Sequence, residues 1–271
     1  MNVKRILTTI IGLPIVILFF IFANKYIMDI AFGIIAVIAM YEYRHCVSNK
    51  AKTIAWISYA SVMSIALIHV IPSNILKNIQ IICIPSLLMI LFLHVIISDM
   101  KITLEEISYT LFGILYIFSF TVFLPIIYGI SGYISGKILI WFVIISAWGT
   151  DIFAFIIGRK FGKTKFSKVS PNKSIEGCIA GSIGAVLLNM LFVLFLNKYG
   201  HYGLSYITTG VIALLLSIIG QVGDFSASVI KRYFNVKDFS ELFPGHGGMI
   251  DRIDSVIFIA PFAYFLLTTF L

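Results

Sequence analysis

The chain has 271 residues, of which 60% are hydrophobic and only 12% are charged, and its mean hydropathy is +1.03. This apolar fraction is well above that of an ordinary globular domain, so a water-soluble fold is excluded. Disordered and disulfide-framework proteins are excluded as well, because 24 Phe and long aliphatic runs favour burial and the chain has only three Cys. The composition indicates a polytopic membrane protein.

Nine apolar segments have the length, about 17–25 residues, that crosses a bilayer as a helix. They are 6–23, 27–43, 54–71, 78–98, 107–130, 138–157, 177–197, 202–223 and 255–271. Because lipid offers no partner for an unpaired backbone amide, we expect all nine to be α-helical. The prediction is an all-α fold in two regions: residues 1–140 hold spans 1–5, and residues 141–271 hold spans 6–9 with the polar loops 158–176 and 231–254.

The nine spans divide the 20 Lys and Arg residues between two sets of loops. Sixteen lie on the side of the N-terminus, and the other four are Lys25, Lys77, Lys137 and Lys198. The positive-inside rule then predicts a cytoplasmic N-terminus and two cytoplasmic polar loops. We expect a multi-pass protein of the cell (inner) membrane. Lys and Arg in the cytoplasmic loops account for the net charge of +8, so we expect no nucleic-acid partner.

The first polar loop carries groups that suit a phosphate. Just before a helix that opens near Glu176, it reads Ser170, Pro171, Asn172, Lys173, Ser174. Hydroxyls, an amide and an ammonium beside a helix N-terminus can hold a polyphosphate. The alternative is structural, with Ser174 capping the helix and the basic residues setting topology. This segment alone leaves both interpretations open.

A second group of polar residues follows the eighth span at helical spacing. Asp224, Ser228, Lys231 and Arg232 stand at i, i+4, i+7 and i+8, so on a helix they share one face. Two further acids, at i and i+3, share a face where the ninth span begins; they are Asp251 and Asp254. Carboxylates from two helices form an oxygen-rich site, and Mg²⁺ binds through one or two carboxylates plus substrate phosphates.

Between these helices the chain reads Pro244, Gly245, His246, Gly247, Gly248. Glycines lack the Cβ that would block an anion from approaching backbone amides, and the histidine can donate to a phosphate. Because ionisable residues at membrane depth are usually functional, we predict a phosphate and metal site here. Asp151 is a further acid in an apolar helix, whereas Asp29 and Glu42 are expected to be helix-end or packing residues.

Together these residues resemble the signature of the phosphatidate cytidylyltransferases, also called CDP-diacylglycerol synthases. The matching positions are Ser228, Lys231, Arg232, Lys237, Asp238, Pro244, Gly245, His246, Gly247, Gly248, Asp251, Arg252 and Asp254. Elements around Asp151 and over 170–177 also match, so the resemblance covers roughly residues 145–256. Family members more often carry Tyr, Thr and Leu at three positions, which here are Phe155, Ser174 and Phe225.

The resemblance implies that CTP and phosphatidate react to give CDP-diacylglycerol and pyrophosphate. It implies Mg²⁺ held by Asp224, Asp251 and Asp254, with room for a second cation. The implied catalytic residues are Asp224, Lys231, Arg232, His246, Asp251 and Asp254. The implied nucleotide-binding residues are Ser170, Asn172, Lys173, Ser174, Glu176, Ser228, Lys237, Gly247, Gly248 and Arg252. A homodimer is also implied.

Two other functions use similar residues. A transporter or channel also places acids in membrane helices, but here the acids cluster at one membrane face and form no chain across it. A membrane lipid kinase uses the same phosphate and metal groups and transfers the γ-phosphoryl group. Residue spacing alone leaves the kinase open, and the family signature argues against it.

Overall fold

A computed structural model of the chain describes residues 3–167, 169–171, 173–243, 245 and 247–271, with the backbone alone in 3–11, 73–74 and 76–81. The helices are α1 (Val3–Phe22), α2 (Lys25–Val47), α3 (Ala55–Met63), α4 (Ser73–Ile97), α5 (Leu104–Thr121), α6 (Phe123–Tyr128), α7 (Gly136–Phe161), α8 (Ile175–Gly200), α9 (Tyr206–Tyr233) and α10 (Ile250–Phe270). A 3-10 turn, Ser64–Leu67, follows α3. The described residues contain no strand, so the predicted all-α class is confirmed.

Six helical segments within the described residues are long and apolar enough to cross a membrane. They are Lys25–Val47, Leu104–Tyr128, Gly136–Phe161, Ile175–Gly200, Tyr206–Tyr233 and Ile250–Phe270. Three shorter apolar stretches lie inside the first, third and fourth predicted spans; they are Gly12–Phe22, Ala55–Leu67 and Ile82–Ile97. Several apolar helices therefore support a multi-pass membrane protein, while nine crossings and the cytoplasmic N-terminus stay predictions.

Two helices extend past the ends predicted from hydropathy. The eighth predicted span stops at 223 but α9 continues to Tyr233, and the ninth starts at 255 but α10 begins at Ile250. The apolar runs are interrupted by Asp224 and Asp254, whereas helical hydrogen bonding tolerates charged side chains well. Both sets of predicted site acids on these spans are therefore helical.

The chain forms two compact units. Unit 1 comprises Met1–Ile126 and Asp238–Ile250, and unit 2 comprises Ile127–Lys237 and Asp251–Leu271. The division at residue 140 drawn from the sequence stays a prediction. In unit 1, α2 packs against α3 and α5. The buried Tyr43 of α2 donates its hydroxyl hydrogen bond to the carbonyl of Tyr109 on α5, over 2.9 Å.

In unit 2, small residues allow α7 and α8 to pack closely. A Cβ at Gly181 would lie 2.7 Å from the carbonyl oxygen of Thr150, and one at Gly177 would lie 3.0 Å from the Cα of Gly158. Close approach of this kind, with hydroxyl hydrogen bonds between helices, is typical of membrane helix interfaces. One such bond joins α7 to α9, because Thr150 Oγ1 donates to Ser217 Oγ over 2.7 Å.

The same principle joins α9 to α10. A Cβ at Gly223 would lie 2.6 Å from the carbonyl oxygen of Asp254, and one at Gly220 would lie 2.7 Å from Ile259. At Gly223, where the neighbouring atom belongs to the backbone, only a residue without a side chain fits. The first turn of α10 is therefore held against the part of α9 that carries Asp224.

Candidate functional site

The polar loop between α7 and α8 folds back on itself. The amide of Phe166 donates to the carbonyl of Lys173 over 3.1 Å, and the amide of Ile175 donates to the carbonyl of Thr164 over 3.0 Å. The amide of Lys173 also donates to the carbonyl of Ser170 over 3.1 Å. These bonds fix Lys173 on the arm of the loop that leads directly into α8.

Two side chains at the start of α8 hold this loop. Ser174 is the N-cap residue, and its hydroxyl oxygen accepts the amide hydrogen of Gly177 over 3.1 Å. The exposed carboxylate of Glu176 accepts the amides of Lys163 and Thr164, over 3.2 and 3.1 Å. The capping interpretation of Ser174 is therefore confirmed. Nucleotide binding by Ser174 and Glu176 stays a prediction.

Two ion pairs join the predicted cations to the predicted carboxylates within unit 2. Lys173 pairs with Asp224, and both side chains are 26% exposed. Lys231 Nζ lies 2.5 Å from Asp251 Oδ1, and these side chains are 12% and 3% exposed. The two lysines predicted to bind phosphate are thus paired with two aspartates predicted to bind a metal ion. Reduced contact with water strengthens such pairs relative to ordinary surface pairs.

The other predicted residues on and after α9 have varied surroundings. Ser228 is buried, and Arg232 is exposed with its Nε donating to the carbonyl of Val169 over 3.4 Å. Lys237 and Arg252 are exposed. The helical spacing therefore places Asp224, Ser228, Lys231 and Arg232 along one helix as predicted, and two lysine–aspartate pairs bring predicted site residues into direct contact.

An aromatic contact supports Lys173. Its ammonium group lies 4.4 Å from the ring centroid of Phe225, and this ring stacks on Phe166 at a centroid distance of 4.5 Å. A cation over an aromatic face is attracted by the ring quadrupole. Phe225 stands where the resemblance implies Leu, and its ring gives Lys173 an attraction that an aliphatic side chain cannot supply.

Two other carboxylates of unit 2 interact electrostatically with Asp254. This residue is 8% exposed, and its Oδ1 accepts the amide of Ser255 over 2.7 Å. It interacts electrostatically with Asp224 and with Asp151 of α7, and Asp151 in turn interacts with Arg252. Negative charges placed together away from water repel each other, and nearby cations stabilise them.

The glycine-rich loop belongs to unit 1. Gly245 and Gly247 have φ angles of 80° and 79°, a region in which a Cβ is strained. The amide of Phe243 donates to the carbonyl of Gly247 over 2.9 Å and closes the turn. Pro244 and His246 lie outside the described residues, as does Asn172 of the first loop, so their predicted roles stay predictions.

Comparison with known proteins gives the relationship. A family model described as "Cytidylyltransferase family" matches residues 3–270, which is nearly the whole chain. The chain belongs to this cytidylyltransferase family. The resemblance drawn from the signature residues is thereby confirmed, and it now extends over the N-terminal helices, which carried no recognisable motif.

Three curated relatives in this family are named phosphatidate cytidylyltransferase. The Staphylococcus haemolyticus protein is 30% identical over 264 residues, which is 97% of this chain and 98% of the relative. The Bacillus subtilis protein is 40% identical over 136 residues (50% of this chain, 49% of the relative) and the Thermotoga maritima protein 41% over 124 residues (45% and 46%). In the last two alignments the chain spans about half the length of the relative.

The carboxylates of this family member fit a magnesium ion by their chemistry. Oxygen ligands suit Mg²⁺, and the buried Asp254 lies near the like charge of Asp224. Across the described part of the chain, however, no three Asp, Glu, His or Cys side chains lie close enough together to hold one ion. Binding through one or two carboxylates, with substrate phosphates completing the shell, is therefore the mode that the arrangement suits.

Asp151 is a residue of this site that sequence reasoning left without a role. The signal was present, because it is an acid in an apolar helix within an element that matches the family pattern. What the sequence could not show was its neighbours, which are Lys173, Asp224, Arg252 and Asp254. Asp151 adds a further negative charge to the group that the predicted lysines and arginine face.

Proposed function

We propose that this protein transfers the cytidylyl group of CTP to phosphatidate, forming CDP-diacylglycerol and pyrophosphate. The observation that carries the proposal is the pairing of Lys173 with Asp224 and of Lys231 with Asp251 in a member of the cytidylyltransferase family. The name shared by the relatives supports the same two substrates. The reaction makes the lipid's own phosphate the nucleophile, so no protein nucleophile is required.

The chemistry depends on neutralising and aligning two anions. A phosphate oxygen of phosphatidate attacks the α-phosphorus of CTP, a new P–O bond forms, and the bond to the oxygen bridging the α- and β-phosphorus breaks as pyrophosphate leaves. Positioning and electrostatic stabilisation dominate such transfers. We propose that Lys173 and Lys231 exchange their carboxylate partners for phosphate oxygens when CTP binds. Arg232, Arg252 and His246 add further donors.

This exchange frees Asp224 and Asp251. Together with Asp254 they are the carboxylates that we propose as metal ligands, with one or two of them on any one ion. When bound, Mg²⁺ neutralises the substrate phosphates and the departing pyrophosphate. Asp254 suits this role because its burial keeps bulk water from competing for its carboxylate. A second cation would share these oxygens with the phosphates. The nucleotide side is proposed to include Ser170, Asn172, Ser174, Glu176, Ser228, Lys237, Gly247 and Gly248.

We also propose nine membrane crossings with the N-terminus and both polar loops in the cytoplasm of an inner-membrane protein. CTP then arrives from water while phosphatidate keeps its acyl chains in lipid. Single cysteines at Lys165 and Glu241, in a background without the three native cysteines, test this orientation. A membrane-impermeant thiol reagent should label neither site in intact cells. Labelling of both would contradict the orientation.

The homodimer is a further part of the proposal. Light scattering of the purified protein, with the detergent mass subtracted, should report twice the mass of one 30.3 kDa chain. A single-chain mass under conditions that support activity would contradict it.

The reaction itself is tested by the position of an isotopic label. With α-labelled CTP, phosphatidate and Mg²⁺, label should enter a chloroform-soluble product, and with γ-labelled CTP it should remain in water as pyrophosphate. Diacylglycerol in place of phosphatidate should give no product, because it lacks the nucleophilic phosphate. Label from the γ position in lipid would indicate a kinase. No transfer from either position by folded protein would favour a transporter.

A further inference from the structure

A buried acid in unit 1 holds the glycine-rich loop. Glu42 lies near the end of α2 and is 1% exposed. Its Oε1 accepts the hydroxyl of Ser240 over 2.6 Å and the amide of Met249 over 2.8 Å, and its Oε2 accepts the amide of Ile250 over 2.9 Å. Glu42 is therefore a buried residue near a helix end, as expected, and its carboxylate in addition binds three donors of the segment before α10.

These contacts are stronger than ordinary ones. Hydrogen bonds to an ionised acceptor are roughly twice as strong as bonds between neutral groups, and a buried carboxylate without such donors is costly. The packing is also tight, because a Cβ at Gly248 would lie 2.6 Å from Glu42 Oε2. In this structure the anion that the glycine-rich loop approaches is thus a carboxylate of the protein itself.

The bond to Ile250 also acts on the start of a helix. Ile250 is the first residue of α10, whose leading amides lack partners within the helix, and a negative charge there complements the helix dipole. The next residue along the chain is Asp251, and Asp254 follows within the same first turns. Whatever fixes the amide of Ile250 therefore limits how freely the acid-bearing end of α10 can move.

We infer that Glu42 is a positioning residue for the acids of α10, acting through the loop 240–250. The expected change in kinetics rests on the proposed cytidylyl transfer. The expected change in the loop structure rests on the three hydrogen bonds of Glu42. Glu42 touches neither substrate nor metal in this account. It holds the backbone of Met249 and Ile250, the residues that lead directly into Asp251.

The chain supplies a matched control on the same helix. Asp29 of α2 is also fully buried, and its carboxylate accepts the amide of His69 over 3.1 Å and lies 2.7 Å from His69 Nδ1. Asp29 and His69 both belong to unit 1, and both are distant in sequence from the glycine-rich loop. Asp29→Asn and Glu42→Gln make the same chemical change to two buried acids, but only one of these acids binds loop 240–250.

The structural half is tested by hydrogen exchange on purified protein in detergent. In Glu42→Gln the amides of Met249 and Ile250 should exchange about tenfold faster, because the amide side chain cannot accept all three donors. Asp29→Asn should leave this segment unchanged. Unchanged exchange in Glu42→Gln, or equal acceleration in both variants, would overturn the inference without any reference to activity.

The kinetic half uses the Mg²⁺ concentration that gives half of the maximal rate. We expect Glu42→Gln to raise it about tenfold, as the loss of a residue that orients metal ligands typically does. A smaller fraction of folded protein would lower the rate but leave this concentration unchanged, which would contradict positioning. If wild-type protein makes no CDP-diacylglycerol, the proposed function fails, and the exchange experiment still decides whether Glu42 holds the loop.

A milder variant covers the case in which Glu42→Gln fails to fold. Ser240→Ala removes one of the three donors and leaves both amides in place. It should raise the half-saturating Mg²⁺ concentration about two- to threefold in wild-type protein, the usual scale for one hydrogen bond. If Glu42→Gln folds, adding Ser240→Ala to it should not change the half-saturating Mg²⁺ concentration any further. No effect in wild-type protein, or an equal effect in both backgrounds, would overturn the inference.

Discussion

The two polar loops are held in the same manner but from different distances along the chain. In the loop between α7 and α8, the carboxylate of Glu176 accepts two backbone amides that lie 12 and 13 residues away. In the loop before α10, Glu42 accepts two amides that lie 207 and 208 residues away. The hydrogen bonds of the half-buried Glu176 lie at the exposed surface, whereas Glu42 is buried.

The two carboxylates differ in how easily water can take their place. When an exposed carboxylate is lost, water can replace it as the partner of the freed amides, so the cost is small. A buried carboxylate has no such substitute, and its loss leaves donors without partners. We therefore expect the loop before α10 to depend on its distant anchor far more than the other loop depends on its local one.

The largest effect should come from Asp254, the buried carboxylate that we propose as a metal ligand. Asp254→Asn keeps the size of the side chain and removes its charge, so we expect CDP-diacylglycerol synthesis to fall about 100-fold or more. Asp99→Asn, the same change at an exposed acid, is the control. Activity above about a tenth of wild type, a loss under ~1.4 kcal/mol, would remove Asp254 from the site.

The second largest loss of activity should come from a change at Gly248, which packs against the carboxylate of Glu42. Gly248→Ala places a Cβ 2.6 Å from Glu42 Oε2, and a displacement of the loop by about 1 Å would lower the rate about 10- to 100-fold. Gly132→Ala is the matched control, because its Cβ would meet no atom closer than 3.9 Å. Initial rates at saturating Mg²⁺ measure both variants, and wild-type activity in Gly248→Ala would mean that the loop adapts.

The third effect compares the two anchors directly. Glu176→Gln should lower activity less than about threefold, because its amide partners are accessible to water. The rates of Glu176→Gln and Glu42→Gln, measured side by side on equal amounts of folded protein, test the ranking of the loops. A larger loss from Glu176→Gln than from Glu42→Gln would reverse this ranking of the two loops.

The smallest effect should be on stability. Ser174→Ala removes the N-cap bond of α8 and should cost about 1 kcal/mol, whereas Ser174→Thr keeps a hydroxyl acceptor and should cost less. Thermal unfolding of the purified variants measures both. An equal loss of stability in the two variants would show that the cap bond is not what Ser174 contributes.

Much of the fold could be predicted because its signals are local. Apolar length predicted where the helices lie, and the i, i+4, i+7 spacing predicted that Asp224, Ser228 and Lys231 share a face of α9. Helices α9 and α10 extend past the predicted apolar spans, since hydropathy reports where charges begin and not where helical hydrogen bonds stop. The cap formed by Ser174 could be foreseen because capping involves residues only three positions apart.

The membrane class, the all-α fold and the family signature could be predicted from local features of the sequence. The pairing of each lysine with its aspartate, the place of Asp151 in this group and the contact of Glu42 with the start of α10 became visible in the folded chain. The physical reason is that propensity, periodicity and capping act over a few residues. A hydrogen bond between Glu42 and Ile250 depends on how packed helices bring together positions that share no local pattern.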